Sequence, residues 1–99
     1  MDLYKILKET GLPVAYYKFE EEVSPPFLAY YGSGSKNLGA DNAVYHKDYD
    51  YTIEYYYTKK DFDKEELIES KLDERELYWS KSTDIYIDQE NMFVIYYYI

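Results

Sequence analysis

Tyr51-Thr52-Ile53-Glu54-Tyr55-Tyr56-Tyr57-Thr58-Lys59-Lys60-Asp61-Phe62-Asp63-Lys64-Glu65-Glu66-Leu67 decides the fold, because it reads as a strand running directly into a capped helix. Positions 51, 53, 55 and 57 are apolar or aromatic, while 52, 54 and 58 are polar. That period of two turns one face to a core and leaves the other wetter. Tyr56 interrupts the polar face and gives it the amphipathic character that protein interfaces favour. The helix that follows has its own punctuation. Asp63 as N-cap with Glu66 three residues on forms a capping box, and Phe62 can staple onto Leu67. Phe62, Leu67, Ile68 and Leu72 then supply an apolar stripe, and Lys71 and Arg75 near the negative end of the dipole place the finish around residues 74–76.

Working outward, Asp2 caps a short helix in which Leu3 and Leu7 share a face bordered by Ile6, and Gly11-Leu12-Pro13 stops it. Residues 14–19 form a first strand. Ser24-Pro25-Pro26 forces an extended entry into Phe27-Leu28-Ala29-Tyr30-Tyr31, a central strand. Residues 32–43 hold three of the four glycines and almost no large apolar side chains, so they read as a flexible loop, either a hairpin tip or a binding loop that orders on assembly. Past a polar turn at 80–83, residues 84–99 form a closing hairpin, whose last strand, from Phe93 to Ile99, is apolar on both faces and should be covered on both. The expected fold is a single α+β domain over residues 1–99. It has an antiparallel or mixed sheet of four or five strands, one main helix at about 63–74 on one face, and a short N-terminal helix.

Composition narrows the function. The formal charge is −9, with 20 acids and a single arginine, Arg75, so phosphate-directed nucleic-acid binding is not expected. Eight of the acids fall at Asp61, Asp63, Glu65, Glu66, Glu69, Asp73, Glu74 and Glu76, which describes a solvated helix face or a surface that repels or mimics DNA. The chain has no cysteine, hence no disulfide framework, thiol nucleophile or thiolate metal site. No apolar run approaches the roughly 18 residues of a membrane helix, and charges break up the N-terminal residues as no signal peptide allows. A protein that acts where it is made, without membrane contact, is expected.

No catalytic constellation is legible, and the expectation is a non-enzyme without cofactor or metal. His46 is the only histidine and has no evident orienting partner. Gly32-Ser33-Gly34-Ser35-Lys36 departs from a phosphate loop, since no glycine precedes Lys36 and Asn37 replaces the hydroxyl residue. The stretch from Asp48 starts like a calcium loop but has Ile53 where glycine is required. Asp84 and Asp88 are no more than a chance pair in an acid-rich chain. The candidate functional residues are therefore interface residues: Tyr56 and Tyr86 on strands, and Gly32, Gly34, Lys36, Leu38 and Gly39 in the loop.

The order of elements resembles the small tail-terminator or tail-completion proteins of long-tailed bacteriophages and prophages, which join head to tail. The proline-led entry from Pro25 to Tyr31, the strand from Tyr51 running into the 63–72 helix, and the terminal hairpin from Asp84 to Ile99 carry the resemblance. It implies a non-enzymatic structural protein that self-assembles into a ring around a DNA passage and contacts tail-tube and head-connector proteins, first in the host bacterial cytoplasm and then in the virion. An acidic subunit lining such a passage would repel phosphates. The alternative is a small acidic DNA-mimic inhibitor of a nucleic-acid-binding protein.

Overall fold

The computed structural model describes the backbone of residues 2–40 and 43–99 and the side chains of residues 2–34 and 50–99. The elements follow in the order α1 (Leu3–Lys8), β1 (Val14–Tyr16), β2 (Phe27–Ala40), β3 (Ala43–Tyr57), α2 (Phe62–Glu74), β4 (Ser80–Lys81), β5 (Ile85–Ile87) and β6 (Met92–Tyr98). They build the expected α+β architecture around a mixed six-stranded sheet of order β1-β2-β3-β6-β4, with β5 also pairing with β6. Only β1 and β2 run parallel. The strand count exceeds expectation because the region read as a polar turn contributes β4, whose Ser80 and Lys81 pair with Tyr98 and Tyr97. Among the described residues no helix is long and apolar enough to cross a membrane.

The period of two in β3 works as anticipated. Ile53, Tyr55 and Tyr57 are buried, and register brings Tyr30 and Tyr97 beside Ile53, Leu28 and Ile95 beside Tyr55, and Phe93 beside Tyr57. Both helices cover this inner face. α1 contributes Leu3, Ile6 and Leu7, with Asp2 Oδ1 accepting from the Lys5 amide at 3.2 Å as its cap; α2 contributes Ile68 and Leu72. Tyr55 and Tyr57 stack 5.2 Å apart within the core. At the far end of α2, Trp79 donates from Nε1 to Asp73 at 2.8 Å and meets Tyr97 edge-on.

α2 starts two residues earlier than its sequence suggests. Asp61, not Asp63, is the N-cap, and its Oδ1 accepts from the Lys64 amide at 3.2 Å. Both aspartates suit a cap, and the positions of Ile68 and Leu72 against the sheet are compatible with either start. With either start Glu65 falls in line with Ile68 and Leu72 on the inward face, and the earlier one makes Phe62 the first helical residue. Phe62 consequently sits at the helix mouth, 72% exposed beneath the Lys60 ammonium, instead of closing a staple, and Leu67 is only half-buried. The helix ends in a Schellman arrangement, with Leu77 N–H donating to Leu72 O at 3.0 Å and Glu76 N–H to Asp73 O at 2.9 Å. Glu76 takes φ +56°, a conformation that favours glycine.

The expected loop at 32–43 is corrected by the backbone. β2 runs to Ala40 and pairs with β3 up to Ala40↔Ala43, while Asp41 and Asn42, the tip of that loop, lie outside the described residues. Glycine and short polar residues weaken a strand without forbidding its ladder, and they leave no burial pattern to read. A bulge inserts Ser33 between the pairs Gly32↔Tyr51 and Gly34↔Asp50, with Gly34 at φ +127°. Since β1 ends opposite Tyr30 and β6 ends opposite Thr52, the ladder beyond this point is a two-stranded arm. The molecule measures 51 × 27 × 24 Å, its length set by the arm.

Ile68→Ala and Leu72→Ala should each lower unfolding free energy by about 2–5 kcal/mol, and Phe62→Ala by less than about 1 kcal/mol. Equal costs in urea titrations would contradict the register of α2. Glu76→Gly, which relieves the left-handed residue and removes an acid from the negative helix end, should stabilise by about 1 kcal/mol. A lower melting temperature for that variant would refute the assigned cap.

Candidate functional site

Two clusters of polar and aromatic side chains stand out, one on each face of the sheet. The first clamps α2 to the sheet edge. Glu65 is 3% exposed and would be costly there as a lone carboxylate, but two lysines meet it. Lys81 donates to Glu65 Oε1 at 3.3 Å and to Glu69 Oε2 at 2.7 Å, while Lys60 Nζ lies 2.7 Å from Glu65 Oε2, off the line of a good hydrogen bond. Lys60 also donates to Asp84 at 3.0 Å, and the Tyr57 hydroxyl donates to the same carboxylate. Tyr97 donates to Glu69 at 2.7 Å.

This network fixes the charge states of its members. The Tyr57 bond, then Lys60, holds the Asp84 carboxyl below its usual value. Burial would lower both lysines, yet the pairing of Lys60 with Glu65 and Asp84, and of Lys81 with Glu69 and Glu65, outweighs it and raises them. Burial, followed by the Glu69 bond, raises Tyr97, and burial above all pushes Tyr55 up to about 12. Tyr55 Oη has no hydrogen-bond partner among the described residues. Carboxylates tied to lysines and phenols kept protonated do not offer a base or a nucleophile near neutral pH. The adjoining open cleft, about 640 Å³, is lined by Tyr55, Tyr57, Lys60, Asp61 and Phe62 together with Lys59, Asp63 and Lys64. Among the described residues no group of three or more histidine, aspartate and glutamate side chains is placed to hold a metal.

The second cluster occupies the outer face, which no helix covers. Register sets three rows across β2, β3 and β6: Phe27, Tyr56, Val94; then Ala29, Glu54, Tyr96; then Tyr31, Thr52, Tyr98. Glu54 is the centre of this grid. Tyr56 stacks on Phe27 at 4.9 Å and donates to Glu54 Oε1 at 3.1 Å. Among the described residues no lysine or arginine pairs with Glu54. Its carboxyl is accordingly raised by burial, only partly offset by the Tyr56 bond. Burial, and then the Glu54 charge, raises Tyr56 and Tyr96 in turn. The segment after β1 adds Phe19, edge-on to Phe27 at 5.2 Å, and Tyr17, 5.7 Å from Tyr31. Between that segment and the sheet lies a cleft of about 650 Å³, with Glu54 and Tyr56 on its wall.

The sequence-derived candidates fall in different places. Tyr56 belongs to the outer face, but Tyr86 packs its ring 4.9 Å from Phe93, which itself stacks on Tyr57 of the inner face. The structure does not bring these two together. Gly32 lies at the root of the arm, its amide donating to Tyr16 Oη at 3.2 Å, and Gly34 at the bulge. Lys36, Leu38 and Gly39 are strand positions of the arm, with side chains outside the described residues. Sequence reasoning missed Glu54, Tyr31, Tyr96 and Tyr98. It expected the last strand to be covered on both faces, whereas Tyr98 is 47% exposed and Tyr96 half-buried on a face no helix reaches. The missed signal was the runs Tyr30-Tyr31, Tyr55-Tyr56-Tyr57 and Tyr96-Tyr97-Tyr98, each of which must send a ring to both faces. No protein-family model, curated protein or solved structure matches the chain.

The inner-face network predicts a pH signature. A folded-state pKa below the usual 3.8 means that the Asp84 contribution is complete above that value and is lost as pH falls through the lower, folded one. Asp84→Asn should therefore be less stable than the native chain at pH 7, with the gap closing below pH 3.8. A gap independent of pH would disprove the pairing.

Proposed function

We propose that this chain is a non-enzymatic structural subunit of a bacteriophage or prophage. It completes the tail at the head-to-tail junction by ring-like self-assembly and by contact with tail-tube and head-connector proteins. The observation that supports this reading best is that one small subunit carries two unlike surfaces that, among the described residues, no helix covers. One is the aromatic outer sheet face, and the other is the backbone edge on both sides of the two-stranded arm. A two-stranded ribbon is marginal by itself and its open edges are natural templates for pairing. Two different patches on each subunit are what a head-to-tail contact requires, and such contacts close into rings when the rotation allows. Assembly would take place in the host cytoplasm, and the subunit would remain in the virion.

The DNA-mimic reading draws on the same acidity but has weaker support. A mimic needs free carboxylates arrayed on one surface, and here Glu9, Glu65, Glu69, Glu74 and Asp84 are paired with the chain's own lysines and arginine. Deleting the gene from its phage should leave unattached heads and tails of abnormal length, visible by electron microscopy, with infectivity restored by the gene in trans. Normal virions from the deletion strain would rule the proposal out.

A further inference from the structure

The cleft of the outer face is acidic and aromatic at once, and the chain leaves its charge unmatched. It lies at the end of the face away from the arm. Tyr17, in the left-handed region at φ +70°, opens the segment that forms one wall, and Phe27, Ala29, Glu54 and Tyr56 belong to the sheet that forms the other. Glu21, Glu22, Glu54 and Glu90 line it against one cation, Lys18, which among the described residues pairs with none of them. Exposed carboxylates such as Glu21, Glu22 and Glu90 are satisfied by water. Glu54 is in a different position, half-buried on the sheet with Oε1 accepting from Tyr56 at 3.1 Å and, among the described residues, no hydrogen bond to Oε2.

The chemistry of the walls selects the occupant. A carboxylate drawn partly out of water beside ring faces suits a guanidinium or ammonium, which gains a charge-assisted hydrogen bond and an aromatic contact together. A metal ion needs several oxygens converging on one point, and among the described residues no group of carboxylates supplies them. A second copy of the chain brings the wrong charge: it carries −9 overall, and the arm, residues 33–50, holds Asp41, Asp48 and Asp50 against Lys36 and Lys47. One small amine would cover little of the surface, because Phe19, Phe27 and Tyr56 lie to one side of Glu54 and Tyr96 beside it. Of the nine positions in the three rows of the outer face, five are aromatic and none is basic, which is the composition of a surface that meets another polypeptide.

We propose that the cleft between residues 17–25 and the outer sheet face binds a basic segment of a different protein, with one arginine or lysine side chain of that segment paired to Glu54 beside the Tyr56 ring. Further cations of the segment face Glu21, Glu22 and Glu90 at the rim. The contact is independent of the tail-completion reading. It leaves the Tyr31, Thr52, Tyr98 row and the arm, which lie outside the cleft, for contacts between copies.

A capped peptide alternating glycine and arginine tests this directly. Titrated into isotope-labelled protein, it should shift the amide resonances of Ala29, Glu54 and Tyr56 and leave those of Ile68 and Leu72 in place. Glu54→Gln and Glu66→Gln change the net charge equally, but only the first alters the cleft, since Glu66 is an exposed residue of α2. Glu54→Gln should bind the peptide about tenfold or more weakly, and Glu66→Gln within about twofold of the native chain. Glu21→Gln with Glu22→Gln, at exposed positions whose side chains the fold does not pack, should weaken binding by about threefold. Equal effects of Glu54→Gln and Glu66→Gln would overturn the site in favour of general attraction to an acidic protein. Binding of free arginine amide as tight as that of the peptide would overturn it in favour of a small ligand, and self-association that Glu54→Gln abolishes would overturn it in favour of a second copy.

Discussion

Everything in this molecule follows from how little helix it has. Six residues of α1 and thirteen of α2 carry apolar surface for one face of the sheet and no more. Leu3, Leu7, Ile68 and Leu72 close over Leu28, Ile53, Ile95 and the rings of Tyr55 and Tyr97, and that layer is the core. The opposite face has to live beside water while still packing well enough to hold three strands in register. Tyrosine resolves the conflict, because its ring supplies cross-strand contact and its hydroxyl remains solvated. The tyrosine bias of the composition is thus the chemical answer to covering a sheet from one side.

The polar clamp lies under the same helix. In line with Ile68 and Leu72, the next inward position of α2 belongs to Glu65. Burying it is tolerable only because Lys60 approaches from the β3–α2 connection and Lys81 from β4. The clamp joins the start of α2 to the connection before it and to the strand after it, and so ties in β4, a strand of only two residues. Removing one lysine would leave a buried charge half-compensated, which costs more than the pair contributes.

How far the sequence was readable follows from which physical signals are local. The alternation in β3, the Asp2 cap and the finish of α2 are all decided within a few residues, and they were legible. The start of α2 was misplaced because Asp61 and Asp63 are both good caps, and local pattern does not choose between them. The arm was taken for a loop because ladder hydrogen bonds come from the backbone and leave no mark on side-chain pattern when neither face is deeply apolar. Tyr56 was legible as an interface residue, yet the site around it was not. Glu54 becomes a centre only when Ala29 and Tyr96 are brought beside it from strands 25 and 42 residues away in sequence.

The single tryptophan has a practical consequence. Trp79 is hydrogen-bonded to Asp73 at the end of α2 and edge-on to Tyr97, so its indole is joined to the helix-covered side of the sheet. Its emission reports whether the helix layer is docked, and it is shielded from whatever binds across the sheet. Folding can therefore be followed optically whether or not the outer face is occupied, with no label added to the chain.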